Sequence, residues 1–273
     1  MVNFKYITLK SYKPRNHGEN KMSHEGDVSR ARKRFLNNKD SNLHYLLKKR
    51  FNWMNDFIKE DEIGIEVGCG TGISKHFIKS KNYKISDYAN HEWIDYKMID
   101  ALKTGFKDQS FDYIISSNMI HHVPYPTNFF KEASRILRPG GRVIIQEINC
   151  SLIMRKLLRA MRHEGYDFTI DVFDDKLICT DPEDLWSANC AIPNLLFDDK
   201  SKFERKIPDF KVIYSSHSEF LNFINSGGVI SKTINIPLPK FVLKTLKIID
   251  DTLTKLFPNI FALQRQIVLI KNE

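Results

Sequence analysis

The stretch that decides the fold is an apolar run ending in alternating glycines, Ile63-Gly64-Ile65-Glu66-Val67-Gly68-Cys69-Gly70-Thr71-Gly72. β-Branched residues around one acid are typical of a buried strand, and residues 73–78 continue with helical spacing. Because glycine has no Cβ, these positions allow a sharp turn and a close approach of a ligand to the main chain. The pattern predicts a strand, a tight turn and a helix start whose free N–H groups face a polar ligand.

The glycine spacing separates two kinds of cofactor site. A dinucleotide fingerprint reads G-x-G-x-x-G, whereas this chain reads G-x-G-x-G, with Glu66 two residues before the first glycine. The string E-V-G-C-G-T-G resembles motif I of the class I S-adenosylmethionine-dependent methyltransferases, and in particular their type 11 domain. The resemblance implies that the turn binds S-adenosyl-L-methionine, with S-adenosyl-L-homocysteine as product, through Glu66, Gly68, Cys69, Gly70 and Gly72. An NAD-dependent oxidoreductase is the rival that this spacing disfavours.

Two further acids follow predicted strands. Asp87 ends a short strand 21 residues after Glu66, and its two oxygens can accept both ribose hydroxyls of a nucleoside. The alternative for Asp87 is a turn residue at a strand end. A third strand is predicted over residues 96–99. In the resembled family, an acid and a small residue at this point bind the adenine, which implies that role for Asp100 and Ala101.

Residues 111–147 resemble the later motifs of the same family, in the family's order. They read F-D-x-I, then H-H-V, then E-A-x-R-I-L-R-P-G-G-R-V. The resemblance implies an α/β fold with a Rossmann-like, seven-stranded, doubly wound sheet whose last strand is antiparallel. Apolar runs at 210–214 and 266–270 predict the final two strands.

The organisation predicted from these motifs has four parts. They are a basic amino-terminal arm and helical cover (1–60), an S-adenosylmethionine-binding core (61–150), a substrate-cap insertion after strand five (151–206) and a carboxyl-terminal completion of the sheet (207–273). The last part contains an amphipathic helix whose stripe includes Val242, Leu246, Ile249, Leu253 and Leu256. The stripe predicts core packing, and the lysines beside it leave a membrane-surface helix as the alternative.

The insertion is also similar to a bacterial subgroup of these methyltransferases found among polysaccharide and glycolipid biosynthesis genes. The resemblance rests on H-E-x-x-D at 163–167, W-x-x-N-x-A-I-P at 186–193 and the S-G-G turn at 226–228.

Methyl transfer from a sulfonium is an in-line displacement in which the protein aligns the acceptor and excludes water. An oxygen acceptor also needs a base to take its proton. Asn118, His121 and His122 follow the fourth predicted strand, at the sheet edge where ligands bind, and Asn118 is expected beside the cofactor. His121, His122, His163 and Glu164 are the candidate bases. For the two tandem histidines a purely structural role stays open, because H-H-V is widespread in the family.

Absent motifs narrow the acceptor. The segment after strand four lacks the [DN]-P-P-[YF] string of exocyclic amino methylation, and Cys150 follows Asn149 rather than a proline, which excludes the usual pyrimidine C5 nucleophile. No His or Asp cluster has metal-ligand spacing along the chain, so we expect no metal. O- or N-methylation of a small molecule remains, with a sugar, glycolipid or secondary metabolite favoured.

The net charge of +9 is confined to residues 1–50, which hold 13 Lys and Arg against 4 Asp and Glu. A basic arm favours an anionic partner, so an RNA or protein methyltransferase is one alternative function. The lack of a recognisable RNA-binding module argues against nucleic acid. A second alternative, a non-catalytic scaffold with this fold, has no need for the glycines and acids above. A solvated terminus is an equally simple interpretation of the arm.

The four cysteines form no C-x-x-C pair and fit a reducing compartment. The sequence has no apolar run of transmembrane length and no signal-peptide core at its start. We therefore expect a cytoplasmic protein, with peripheral contact at the inner membrane surface as an option.

Overall fold

The computed structural model describes residues 10–14, 27–37, 42–162, 164–230, 233 and 235–273. The strands in chain order are β1 (Ser11–Tyr12), β2 (Ile63–Val67), β3 (Asn82–Ile85), β4 (Phe111–Ser117), β5 (Leu137–Ile148), β6 (Tyr166–Asp167), β7 (Phe210–Ser218) and β8 (Gln264–Lys271). Six of them form one sheet in the order β3-β2-β4-β5-β8-β7, and β1 pairs with β6. The first four strands of the sheet are parallel, and β8 is antiparallel to both β5 and β7.

Both faces of this sheet are covered. Ile114 and Val143 belong to one apolar core, and their chain neighbours Ile115 and Ile144 belong to the core on the opposite face. Successive side chains of a strand point to opposite faces, so strands buried on both sides are continuously apolar. The predicted doubly wound α/β class with an antiparallel last strand is confirmed.

The predicted third strand over residues 96–99 is reduced to one bridge, between Ser86 and Tyr96. A side chain replaces part of the missing strand pairing, because the Asp95 carboxylate accepts the Ile85 N–H at 2.9 Å. Met98, at φ +56°, also departs from strand geometry. The sheet therefore has six strands within the described residues instead of the predicted seven.

The α-helices are α1 (Val28–Asn37), α2 (Asn42–Asn52), α3 (Pro126–Ile136), α4 (Leu152–Met161), α5 (Ile192–Phe197), α6 (Lys200–Lys206), α7 (Leu221–Ile224), α8 (Lys240–Leu256) and α9 (Pro258–Phe261). The helix predicted after the glycine turn is a single 3₁₀ turn, Ile73–His76. The Ser74 carbonyl accepts from both Phe77 and Ile78, and the next free N–H, that of Lys79, donates to the Asn55 side chain. These bonds end the helix after one turn.

α8 packs differently from the prediction. Its buried residues are Leu243, Asp250 and Thr254, whereas Ile249 and Leu256 of the predicted core stripe are 41% and 63% exposed. Asp250 is buried because its carboxylate accepts the N–H groups at the start of α7. The interpretation of the whole stripe as core packing is therefore wrong. Within the described residues, no helix combines the length and apolarity required to cross a bilayer.

The amino-terminal helices α1 and α2 form over the predicted segment and pack on the sheet. A bidentate ion pair joins α2 to the end of β7, because Arg50 contacts Glu219 at 2.5 and 2.9 Å. Both side chains are buried. The four-part division of the chain stays a prediction.

Candidate active site

The glycine turn after β2 has three residues in left-handed backbone conformations. The φ angles are +68° at Gly68, +48° at Gly70 and +60° at Gly72, where other residues would be strained. A Cβ on Gly68 would lie 2.3 Å from Cγ of Met119, whereas a Cβ on Gly70 would meet no atom within 4 Å. Packing therefore requires Gly68, and Gly70 leaves open space in which a ligand can approach the main chain.

Asp87 fixes this turn from the end of β3. The Gly70 N–H donates to Oδ2 of Asp87 at 2.7 Å, and the Ala89 N–H donates to Oδ1 at 2.9 Å. Each carboxylate oxygen has a second acceptor position. The half-buried Asp87 can therefore order the turn and still accept a ligand hydroxyl.

Two residues that the sequence prediction missed also hold the turn. Arg32 of α1 donates to the Thr71 carbonyl at 2.7 Å, and the Trp93 indole donates to the Gly70 carbonyl at 3.0 Å. The Arg32 guanidinium lies over the Trp93 ring, 5.2 Å from its centroid. Nothing in the local pattern around either residue indicated this contact.

Glu66 lies beneath the turn and is 2% exposed. Its carboxylate accepts from the Ser74 hydroxyl and, at 2.8 Å, from the Tyr83 hydroxyl. Burial raises the pKa of Glu66 to about 7, although these two hydrogen bonds favour the charged form. These hydrogen bonds hold the Glu66 side chain in place, and Glu66 also lines the main cavity of the protein.

Asp100 and Ala101 follow the bridge at the far side of β3. The Leu102 N–H donates to the Asp100 carboxylate at 2.8 Å, which makes Asp100 a local turn residue. Asp100 is exposed and Ala101 is half-buried. Their predicted adenine-binding role stays a prediction.

A second group of polar side chains follows β4 and β5. His121 and His122 lie on a short 3₁₀ segment, Ile120–His122, next to Asn118. The Glu147 carboxylate at the end of β5 lies 2.7 Å from Nδ1 of His121. Glu147 also accepts the Ile120 and Ile148 N–H groups, so it fixes the histidine segment against the sheet.

Glu164 reaches the same point from the segment after α4, within the predicted insertion (151–206). Its carboxylate lies 3.7 Å from Nε2 of His121 and 3.9 Å from Nε2 of His122. The Cys190 thiol donates to it at 3.2 Å. Glu164 and the two histidines, three of the four candidate bases, are therefore brought together, and His163 lies outside the described residues.

The charge states of His121, His122 and Glu147 depend on one another. Burial opposes a charged imidazole, but the Glu147 carboxylate raises the pKa of His121 above its ordinary value. Burial and the neighbouring His121 lower the pKa of His122 to about 4. Burial also opposes a charged Glu147, yet His121 and the backbone donors lower its pKa. His122 is thus neutral at neutral pH.

The insertion is attached to the histidine segment through its backbone. The Asn189 N–H donates to the His121 carbonyl at 2.9 Å, and the Thr180 hydroxyl donates to the His122 carbonyl at 2.7 Å. The Asn189 side chain in turn accepts the Asp167 and Ala191 N–H groups. The asparagine of the W-x-x-N-x-A-I-P string therefore has a structural role, because it connects this segment to the histidine segment.

The turn and the histidine cluster line one cavity of about 1110 Å³. Its lining includes the predicted residues Glu66, Gly68, Cys69, Gly70, Asn118, His121, His122 and Glu164. Gly72, Asp87, Asp100 and Ala101 lie outside the lining. Much of the remaining wall is apolar and comes from α2, from α4, from residues 221–230, from Thr233 and Ile236, and from Leu246 of α8. The volume exceeds the ~300–1,000 Å³ typical of one small ligand, so the cavity has room for a cofactor and an acceptor.

Comparison with known proteins agrees with this geometry. Residues 65–145 match the family model of a methyltransferase domain. Phosphoethanolamine N-methyltransferase 2 of Caenorhabditis elegans is 32% identical over 85 residues, which cover 31% of this chain and 19% of that protein. Tocopherol O-methyltransferase of Arabidopsis thaliana is 31% identical over 116 residues, which cover 35% of this chain and 33% of that protein. The match thus spans a third or less of either relative.

Among solved structures, an S-adenosylmethionine-dependent methyltransferase from Archaeoglobus fulgidus has a TM-score of 0.49 at 14% identity, covering 87% of this chain and 99% of that one. The family match covers the glycine turn and most of the parallel part of the sheet, so residues 65–145 are similar to a methyltransferase domain.

Proposed function

We propose that this protein is a methyltransferase that transfers a methyl group from S-adenosylmethionine to an oxygen or nitrogen of a small molecule. The observation that carries the proposal is that the glycine turn and the His121–His122–Glu164 cluster line the same cavity. When bound, S-adenosylmethionine supplies an electrophilic methyl group. An acceptor in the same cavity would lie beside groups able to withdraw its proton.

Each part of the site has a role in this proposal. The open space at Gly70 receives the cofactor, and Asp87 accepts its ribose hydroxyls while holding the Gly70 N–H. Asn118 lies between the turn and the histidine cluster along the cavity wall. The cluster orients the acceptor and removes its proton, and the insertion covers the cavity so that water is excluded.

The apolar wall favours an acceptor with an apolar part, such as a glycolipid or an apolar secondary metabolite. Met154, Leu157, Leu158 and Met161 of α4 line the cavity, as does Leu246 of α8. Burial of such a wall against a ligand is favourable at ~25 cal/mol per Å². A sugar acceptor without an apolar group would leave this wall against water.

Peripheral contact with a membrane belongs to the same proposal. α8 contributes Leu246 to the cavity and presents Phe241 and Ile248 to solvent, 71% and 67% exposed. An exposed apolar stripe beside lysines is typical of a helix that lies on an anionic membrane. A lipid-linked acceptor would then reach the cavity from the surface on which the helix lies.

Calorimetric titration of the purified protein with S-adenosylmethionine, S-adenosylhomocysteine and NAD tests the cofactor. We expect micromolar binding of the first two and no binding of NAD. Asp87→Ala should weaken S-adenosylmethionine binding by about 1–3 kcal/mol, the cost of lost hydrogen bonds to a charged acceptor. Asp61→Ala, an exposed acid away from the turn, is the matched control. Binding of NAD alone would overturn the proposal, and unchanged affinity in a folded Asp87→Ala protein would remove Asp87 from the site.

A further inference from the structure

Three potential metal ligands converge on one point of the cavity wall. Within the described residues, one potential ligand atom each of His121, His122 and Glu164 lies within 4.8 Å of the other two. The two imidazole centroids are 4.2 Å apart. Because the histidines and Glu164 come from separate segments, no ligand spacing along the chain indicated this group, and the sequence predicted no metal.

The other nitrogen of each imidazole already faces an acceptor. Nδ1 of His121 lies 2.7 Å from the Glu147 carboxylate, and Nδ1 of His122 lies 3.1 Å from the Ser187 carbonyl oxygen. A carbonyl or an ionised carboxylate only accepts hydrogen bonds, so Nδ1 carries the proton in both rings. A carboxylate or carbonyl behind a histidine in this way is the usual support of a metal-binding imidazole.

The opposite nitrogen of each ring, Nε2, lies near Glu164. With Nδ1 facing an acceptor in both rings, Nε2 is the nitrogen left to bind a ligand, and Nε2 of each ring faces the Glu164 carboxylate. A divalent cation between these groups would be attracted by the carboxylate and by the Nε2 lone pair of each ring. The separations of 3.7 and 3.9 Å are too long for hydrogen bonds.

The same separations suit a shared cation. Ligand atoms ~2.0–2.1 Å from a tetrahedral zinc ion lie about 3.3 Å apart. Side-chain shifts of roughly half an ångström would bring the Glu164 oxygens to that separation from both nitrogens. Two imidazoles and one carboxylate are a ligand set for divalent transition metals, and three protein ligands leave a position open for a further ligand.

We infer that His121, His122 and Glu164 bind one divalent transition-metal ion, with zinc the closest match. The open coordination position faces the cavity that also contains the glycine turn. Glu147 and the Ser187 carbonyl orient the two imidazoles, and the Cys190 thiol donates to Oε2 of Glu164.

The use of this ion rests on the proposed function, whereas its binding does not. A metal ion in this position would lower the pKa of a bound acceptor hydroxyl, so that the proton passes to solvent water and the resulting oxygen attacks the methyl group with S-adenosylhomocysteine as the leaving group. Glu164 would then act as a metal ligand instead of the general base. The acceptor class narrows to molecules with an oxygen that can bind a metal.

The test measures metal content without any cofactor or acceptor. The full chain is stripped with a chelator and dialysed against zinc, and bound zinc is quantified by mass spectrometry. We expect one zinc per chain at micromolar or lower free zinc, and at least a tenfold loss of affinity in His121→Ala, His122→Ala and Glu164→Gln. His76→Ala, an exposed histidine outside the cavity lining, is the matched control and should bind as wild type.

Absence of zinc from the wild-type chain would overturn the inference, and so would unchanged binding in all three variants. If a variant fails to fold, X-ray absorption of the wild-type protein loaded with cobalt decides. Two imidazoles in the first shell support the site, and none would exclude it. Because S-adenosylmethionine is absent from these measurements, a failed cofactor titration and a failed metal site remain distinguishable.

Discussion

Gly68 and Gly70 lie two residues apart in one turn, yet their surroundings differ. Both have positive φ angles, but only a Cβ on Gly68 would collide with another side chain. We predict that Gly68→Ala destabilises the fold by about 1–3 kcal/mol through overpacking against Met119. Gly70→Ala should cost only about 1 kcal/mol of backbone strain and should weaken S-adenosylmethionine binding at least tenfold, because its methyl group fills the ligand space.

Gly105→Ala is the matched control for the backbone strain that Gly70→Ala introduces. Gly105 also has a positive φ, of +74°, and open space around it, and it lies outside the cavity lining. Its alanine variant should match Gly70→Ala in urea denaturation and match wild type in cofactor affinity. Equal cofactor affinity in the Gly70 and Gly105 variants would show that the space at Gly70 is not a ligand site.

Glu66 makes stability depend on pH. Because burial raises its pKa from 4.5 to about 7, the folded protein retains a proton that the unfolded chain loses between those values. The contribution is fully present below about pH 4.5 and decreases as pH rises through about 7, by about 3 kcal/mol in total. Glu66→Gln cannot ionise and lacks this dependence.

The measurement is the free energy of unfolding in urea near pH 4.5 and near pH 8. The difference between wild type and Glu66→Gln should shift in favour of the variant by about 3 kcal/mol across that interval. A difference that stays constant with pH would mean that Glu66 is charged in the folded protein.

At the scale of elements, α2 is joined to the end of β7 by the Arg50–Glu219 pair, whose side chains are 4% and 7% exposed. Arg50→Met leaves the Glu219 carboxylate buried without its partner, which should cost about 3–5 kcal/mol. Adding Glu219→Leu removes that charge and should restore most of the lost free energy of unfolding.

Urea denaturation of the single and double variants checks this prediction. Lys81→Met breaks an ion pair with Glu60 that is 76% and 68% exposed, and it should change the free energy of unfolding by less than about 1 kcal/mol. A similar small loss for Arg50→Met would mean that water reaches Glu219.

The elements that the sequence predicts correctly are those whose sequence pattern lies within the element itself. The apolar runs of β2 and β4 and the glycine turn specify their own geometry, so these parts agree with the structure. The missing third strand depends on Asp95, whose carboxylate occupies an N–H group of β3. The meeting of His121 with Glu164 depends on how the insertion packs. Neither contact has a periodicity that could indicate it.

At the scale of the whole molecule, the exposed apolar residues of α8 predict attachment to anionic membranes. We expect the full chain to sediment with phosphatidylglycerol vesicles and not with phosphatidylcholine vesicles at low salt. Phe241→Asp combined with Ile248→Asp should weaken that binding at least tenfold, because both side chains are exposed and neither supports the core.

Leu185→Asp is the control, since Leu185 is 60% exposed and lies in the insertion. It should bind vesicles as wild type does. Vesicle binding that is absent in wild type, or lost equally in the control, would leave α8 without a membrane role.

The strand order has a consequence for synthesis. β8 follows every other strand along the chain but lies inside the sheet, and β7 pairs with β8 alone in the part of the chain that the structure describes. While the ribosome translates residues 149–263, on the order of ten seconds at typical rates, the outer edge of β5 has no partner. An open strand edge can pair with another nascent chain. A chaperone that shields this edge during that interval would therefore raise the yield of folded protein.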